Sequence, residues 1–403
     1  MKSEVLNLGS LKPNLEWASL PLFDRSGWKR VRFGDVVENC AETCDPQEAG
    51  LERFIAMEHM EPGSLHIRSW GNVADGTTFT RRCRPGQVLF GKRRAYQRKV
   101  AIAEFEAVVS GDIYVLAPKD GRLLPELLPF LCLSERFFQH AVGTSAGSLS
   151  PRTNWSSLAS FEFDIPPLDQ QRRIAEIMWA VDEAITCLSD MNKLISGCAD
   201  AARNDHFLSI THSKSVVSIR DIGRWVSGNT PSRKRDDYWS GDFPWVSPKD
   251  MKKPVINDAE EHLSSDGRKD ASVVGAGSLL IVIRGMILVH SFPLGITTRD
   301  VAFNQDMKAL IPNPSHSVEY VYHWFCWAKI RILSCISDSS HGTKRLAMED
   351  LFAMYIPTPS LSDQSKFTES IQRFENASQL AKKNIHTLVN LRTGFLNHMF
   401  SSP

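Results

Sequence analysis

After the pair Pro166-Pro167 the chain runs for about forty residues, to His206, with no further proline and one glycine, Gly197. Asp169 stands where an N-cap is expected, behind prolines that cannot continue a helix backwards. Beyond it Ile174, Met178, Val181, Ile185, Leu188, Ile195, Ala199 and Ala202 recur at alternating spacings of four and three, skipping only Asn192. That pattern predicts one long helix with a single apolar seam. At a rise of about 1.5 Å per residue it would run roughly 55 Å, about twice the width of a small domain, so one globule cannot bury the seam. The helix requires a partner of similar length.

Residues 359 to 400 supply it, with Ser362 in the cap position and Phe367, Ile371, Phe374, Ala381, Ile385, Leu388 and Phe395 on the seam. The two openings, PPLDQQ and PSLSDQ, lie 193 residues apart, and other landmarks keep close to that offset. VRFGDVV at 31 answers VSIRDIG at 217, FIAMEHM at 54 answers WVSPKDM at 245, and GQVLFGKR at 86 answers GSLLIVIR at 277. SGDIYVL at 110 answers NQDMKAL at 304, Arg152 falls on Arg345, and Leu158 falls on Leu351. One unit is used twice.

Within each unit, short β-rich runs are separated by Gly, Pro and Asp: Val88 to Phe90, Val100 to Ala103, Ile113 to Leu116, Leu279 to Ile283 and Ala309 to Ile311. A helical run follows in each, Leu123 to Val142 and Val318 to Ile336. The expected fold class is therefore α+β: two tandem α+β domains, each followed by a long helix. The two helices would pair as an antiparallel coiled coil with pseudo-two-fold symmetry. The boundaries read as an N-terminal segment 1–26 packing near the helix ends, domains at 27–165 and 207–358, and helices at 166–206 and 359–400.

A net charge of +1 excludes a uniformly basic nucleic-acid binder but leaves room for local basic loops. The eight cysteines include no CxxC pair and read as reduced thiols. A zinc site from Cys40, Cys44, His59 and His66 fits no standard spacing. MKSEVLNLGSLKPNLEW lacks the apolar core of a signal peptide, and the most apolar stretch, Leu279 to Val289, is broken by Arg284 and Gly285. A cytoplasmic protein without a membrane partner is expected.

The helix opening IPPLDQQRRIAEIMWAVDEAI, GWKRVRFGDVV at 27, SGNTPSRKRDDYWSGDFPWVSPKDM at 227 and FNQDMKAL at 303 together resemble the DNA specificity subunit of type I restriction-modification systems. The likeness extends over essentially the whole chain. Two departures stand out: the second helix opens on PTPSLSDQ without a Pro-Pro-Leu run, and the first domain has ENCAETCDPQE where the second has the GNTPS block. The resemblance implies two target recognition domains, each reading one half of a bipartite site on double-stranded DNA. It implies that the helices recruit two methyltransferase subunits and that restriction/translocase subunits join them. S-adenosylmethionine and ATP then belong to the partners, and this chain carries no cofactor and no catalytic residue. In keeping with that, there is no Walker loop and no glycine-rich cofactor loop after a strand. The nearest approach to a base-gripping motif, Ile165-Pro166-Pro167-Leu168, is better explained by the helix start, and Asp236, Asp237 and Asp242 read as turn residues. A fused methyltransferase or nuclease, and a scaffold of the same fold that does not read DNA, stay open as alternatives.

Loops suited to a duplex are present in both domains. In the first, Lys92, Arg93, Arg94, Arg98 and Lys99 surround Tyr96 and Gln97; the cations would neutralise phosphates, while Gln suits an adenine edge and Arg a guanine edge. In the second, Arg233, Lys234 and Arg235 follow Thr230 and Ser232 of the GNTPS turn, Lys249 follows PWVSP, and Arg284 ends a strand. Arg152 and the pair Lys344 and Arg345 occupy equivalent Gly- and Ser-rich loops. Tyr238, Trp239 and Trp245 read as core packing. On the first helix Gln170, Arg172, Arg173 and Glu176 are left to face a methyltransferase subunit.

Overall fold

The computed structural model describes residues 24–211, 215–338 and 342–400. Most of the 1–26 segment therefore lies outside the described residues. The described residues fall into two compact units, one made of those in 24–189 with 383–400 and the other of those in 190–382.

In the first unit the hydrophobic run Val88–Gly91, buried at every residue, lies inside an antiparallel sheet ordered Val37–Asn39, Ile113–Pro118, Val88–Gly91, Val100–Ile102. A second sheet is ordered Gly71–Asn72, Arg53–Ile55, Ala107–Val109, Arg81–Cys83, and its middle pair is parallel. The second unit repeats this plan. Gly223–Ser227, Met307–Pro312, Leu279–Val282 and Leu294–Thr297 form the first sheet, extended by Val255–Ile256. Glu261–Leu263, Phe243–Val246, Val301–Phe303 and Val273–Val274 form the other, again with the middle pair parallel. A two-stranded ladder closes each body beside the long helix, Lys29–Arg32 with Glu162–Ile165 and Val216–Ser218 with Tyr355–Pro357. Both units place a parallel pair in the middle of an otherwise antiparallel four-stranded sheet, so the duplication read from spacing is structural.

The expected helix Leu123 to Val142 is broken into Leu128–Leu133 and Glu135–Gly143, because Ser134 turns out of helix and caps the second piece at the Phe137 amide. Its counterpart Val318–Ser334 has Trp327 at the matching place and runs on uninterrupted.

The long helices are Leu168–Thr211 and Leu361–Phe400. At 44 residues the first would run roughly 66 Å at about 1.5 Å per residue, longer than expected, since nothing breaks it at His206 and Phe207 is fully buried in the second core. Both caps differ from expectation. Asp169 lies inside the first turn, where a carboxylate suits the positive end of the helix, and the Pro167 carbonyl receives the Gln171 amide at 2.9 Å. In the second helix the cap is Ser360, whose Oγ accepts the Asp363 amide at 3.3 Å, and Ser362 lies exposed in the first turn.

A glutamine ties each long helix to its body. Gln171, 1% exposed, accepts from the Leu124 amide at 2.9 Å and donates to the carbonyls of Arg122 at 2.7 Å and Pro166 at 2.8 Å. Gln364, fully buried, makes the same three bonds to Ser317, Ser315 and Pro359, each 193 residues further on. Replacing Gln171 by Leu strands one amide and two carbonyls and is expected to cost about 1–3 kcal/mol, read as a lower urea midpoint with unchanged slope.

The helices pack antiparallel, and the seam carries polar cross-links. In the first unit Asp182 and Arg392 meet at 2.5 Å. In the second, Arg203 pairs with Glu375 at 2.7 Å, and Ser378 donates to Asn192 at 2.7 Å. Asn192, the one residue that interrupts the apolar pattern, therefore has a partner waiting on the other helix, an arrangement that selects one register over its neighbours.

Candidate nucleic-acid interface

In the first unit, strand Val88–Gly91 delivers the backbone to Lys92 and Arg93, and Arg93 forms an isolated bridge with Arg152. Two guanidinium groups side by side require a counter-charge, and Asp112 provides it, accepting from Arg152 at 2.8 Å and Arg93 at 3.2 Å. Burial works to raise the Asp112 carboxyl, and the bonds from Arg152 and Arg93 outweigh it and hold the group below the ordinary carboxylate range. Ser150 Oγ accepts from Arg93 at 3.1 Å and Arg94 at 3.3 Å. The Lys92 ammonium lies 4.9 Å over the Tyr114 ring, and burial pushes its proton affinity down. The result is a preorganised cationic edge with Arg152 about half exposed.

A 3-10 turn, Ala95–Gln97, projects from this edge. Arg94 (φ 52°) and Arg98 (φ 56°) flank it, the two non-glycine residues in the left-handed region among the described residues. Tyr96 is 54% exposed, and Gln97 lines a cleft of about 300 Å³ with Met57, Glu58, Arg93, Arg94 and Asp112. Two predicted contacts are engaged elsewhere. Arg98 is held by both oxygens of Glu135, at 2.5 and 2.7 Å, and Lys99 donates to the Met57 carbonyl at 2.6 Å.

The second unit rebuilds the same edge. Arg284 and Arg345 form the matching bridge, and Asp306 lies 4.0 Å from Arg284. The Arg94 amide to Pro151 carbonyl bond, 2.7 Å, has its counterpart from Gly285 to Lys344, 2.9 Å. Lys344 pairs with Asp338 at 2.7 Å, and Arg345 is exposed. Here the projecting turn is Met286–Val289.

The GNTPS and PWVSP blocks hold the fold. A Cβ on Gly228 would sit 2.1 Å from the Asn304 carbonyl oxygen. Asn229 donates to the Asp270 carbonyl at 2.7 Å and accepts the Ser272 amide at 2.6 Å, and the Thr230 hydroxyl donates to Gln305. The Ser232 carbonyl accepts the Trp239 indole at 3.2 Å. Arg233 stacks 3.5 Å from the Trp239 ring and is held by Glu261 at 2.5 and 2.9 Å. Arg235 is held by Asp237 at 2.5 and 2.8 Å. Trp245 is buried, 2% exposed. Of this cluster Lys234 and Lys249 reach solvent without a hydrogen bond. Gly228→Ala is expected to destabilise by about 1–3 kcal/mol through backbone overlap, seen as an earlier thermal transition.

On the first helix Gln170 is a tether: it accepts the Trp28 indole at 2.9 Å and donates to the Asp24 carbonyl at 3.1 Å. Arg172, Arg173 and Glu176 are exposed, and Arg172 and Glu176 line an open groove of about 560 Å³ with Leu124, Trp179 and Glu183. His66 is bound by Glu104 at 2.6 Å and Asp182 at 3.0 Å, and His59 accepts the Ala56 amide at 3.0 Å. No cluster of three or more His, Cys, Asp or Glu among the described residues could hold a metal, and no helix among them is long and apolar enough to cross a membrane. Asp112, Ser150 and the Met286–Val289 turn escaped the residue-type reading. The alignment of SGDIYVL with NQDMKAL already superposed Asp112 on Asp306 and was the available signal.

Two copies of one α+β body, each with a bridged pair of arginines beside a carboxylate that holds both in the first unit and lies 4.0 Å from Arg284 in the second, and each tied to a long helix, define a tandem-domain protein. Residues 25–195 and 213–390 match the family model for the type I restriction modification DNA specificity domain. The chain belongs to that family. It is 28% identical over 178 residues to the type I restriction enzyme EcoR124I/EcoR124II specificity subunit of Escherichia coli, covering 43% of this chain and 44% of that protein. It is 30% identical over 195 residues to the MjaIX specificity subunit of Methanocaldococcus jannaschii, covering 46% and 43%. The chain thus spans less than half the length of these two relatives. The match to the HindI specificity subunit of Haemophilus influenzae is 18% identical and covers 74% of this chain and 82% of that one. The fold is shared with a chain from a structure of complex assembly and conformational transition of the type I R-M system, with TM-score 0.59, 17% identity and coverage of 93% and 98%. It is also shared with the type I restriction-modification S subunit from M. genitalium, with TM-score 0.57, 13% identity and coverage of 94% and 97%.

Proposed function

We propose that the chain is the sequence-recognition subunit of a type I restriction-modification complex, acting in the cytoplasm by binding and without catalysis. Residues 27–165 and 207–358 each read one half of a bipartite target on double-stranded DNA. The observation that carries this reading is the duplicated edge, Arg93 bridged to Arg152 over Asp112 and Arg284, 4.0 Å from Asp306, bridged to Arg345. Its arginines grip phosphate, joined by Lys92, Arg94, Lys234, Lys249 and Lys344. The long helices recruit two methyltransferase subunits, with Arg172, Arg173 and Glu176 on the docking face, and restriction/translocase subunits complete the assembly. S-adenosylmethionine and ATP act on those partners. Replacing residues 217–355 by the matching domain of a relative tests the assignment: one half of the methylated target changes and the other is kept. A change in both halves would refute modular reading.

A further inference from the structure

We infer that the turn Met286–Val289 is the base-specificity element of the second unit, and that it recognises thymine through the C5-methyl group in the major groove. This inference rests on the DNA-reading role proposed above. The duplication keeps one set of features at this edge and changes another. In both units a buried strand ends beside an arginine bridge, a backbone bond anchors the next residue to the loop carrying the second arginine, and a 3-10 turn follows. The arginines and the carboxylate are kept, as suits phosphates that are the same along any duplex. The turn is not kept: Ala95, Tyr96 and Gln97 in the first unit, Met286 to Val289 in the second. Two readers of different half-sites must differ where they touch bases.

The chemistry of the second turn points to one feature of a base edge. Met286, Ile287 and Val289 are 61%, 41% and 44% exposed, while Leu288 between them is 2% exposed and pins the turn to the core. Gly285 (φ 138°) sets the turn's entry angle with a backbone that a side chain rarely adopts. An outward apolar turn held rigidly beside Arg284, Lys344 and Arg345 matches a surface that is methyl-bearing in the middle and anionic at the rims. In the major groove thymine alone offers that methyl, and apolar side chains read it. The first unit presents the half-polar Tyr96, 54% exposed, where the second has Ile287.

The test uses the full chain assembled with its methyltransferase partner and DNA carrying the methylated target. Replacing each thymine of the second half-site by uracil removes only the methyl. Wild-type protein is expected to lose about tenfold in affinity at one or more of these positions. The Met286→Gln, Ile287→Gln double variant is expected to lose that sensitivity while its salt slope and melting temperature stay at the wild-type values. Equal uracil sensitivity in variant and wild type would overturn the inference, as would a variant that binds DNA normally but no longer assembles with its partner, which would make the patch a protein contact. An absence of any bipartite target would instead sink the DNA-reading role itself, so the two failures are distinguishable.

Discussion

Asp182→Ala is expected to lower the stability of the chain by about 3–5 kcal/mol. The side chains of Asp182 and Arg392 are 3% and 6% exposed. Asp182 takes Arg392 on one oxygen at 2.5 Å and His66 on the other at 3.0 Å, and Arg392 also donates to the Gly63 carbonyl at 2.7 Å. Removing the carboxylate leaves a guanidinium in a place where burial already depresses its proton affinity, with no counter-charge. A drop of roughly 10 °C in the transition of the affected unit follows from the size of the body. The double variant Asp182→Leu with Arg392→Met removes both charges and should recover most of the loss. Recovery in a double-mutant cycle separates the stranded charge from lost packing, and a double variant as unstable as the sum of the singles would show that packing dominates.

Removal of the arginine pair, Arg93→Ala with Arg152→Ala, is expected to weaken DNA binding by about ten- to a hundredfold, the scale of charged hydrogen bonds worth about 1.5–3 kcal/mol. If each arginine neutralises one phosphate, the slope of log affinity against log salt falls by about 1.8. The loss is amplified because Asp112, freed of both partners, turns a carboxylate toward the backbone. Arg98→Ala gives the contrast: Glu135 neutralises that guanidinium one to one, whereas the single Asp112 carboxylate is shared by two arginines, so the salt slope should be unchanged. Titrations at several salt concentrations check both, and a reduced slope for Arg98→Ala would mean that DNA displaces Glu135.

The architecture was readable from spacing because duplication and seams are written in periodicity. A 193-residue offset and a three-four apolar repeat survive low identity, so the tandem bodies and paired helices came through. Helix ends did not, because they depend on which group happens to meet an orphan amide: Ser360 in place of Ser362, and a proline carbonyl in place of an Asp169 cap. Residue type alone also could not separate a cation facing solvent from one spoken for by a nearby acid. Arg98, Arg233 and Arg235 look in sequence like Lys234, yet each is held by an acid, Glu135 and Glu261 brought near by folding and Asp237 two residues along the chain. Gln170 and Gln171 are adjacent and alike, yet the buried one ties the helix to its body through a partner 47 residues away. The Met286–Val289 turn was absorbed into an apolar run because exposure of three of its four side chains is a property of the turn and not of the composition.

The central claim is that this chain selects a DNA sequence in two halves for chemistry performed by others. Comparing all methylated positions in the genome with and without the gene tests it most directly. The account predicts loss of methylation at one bipartite motif with a fixed spacer and no change at any other motif; an unchanged methylation pattern would contradict it.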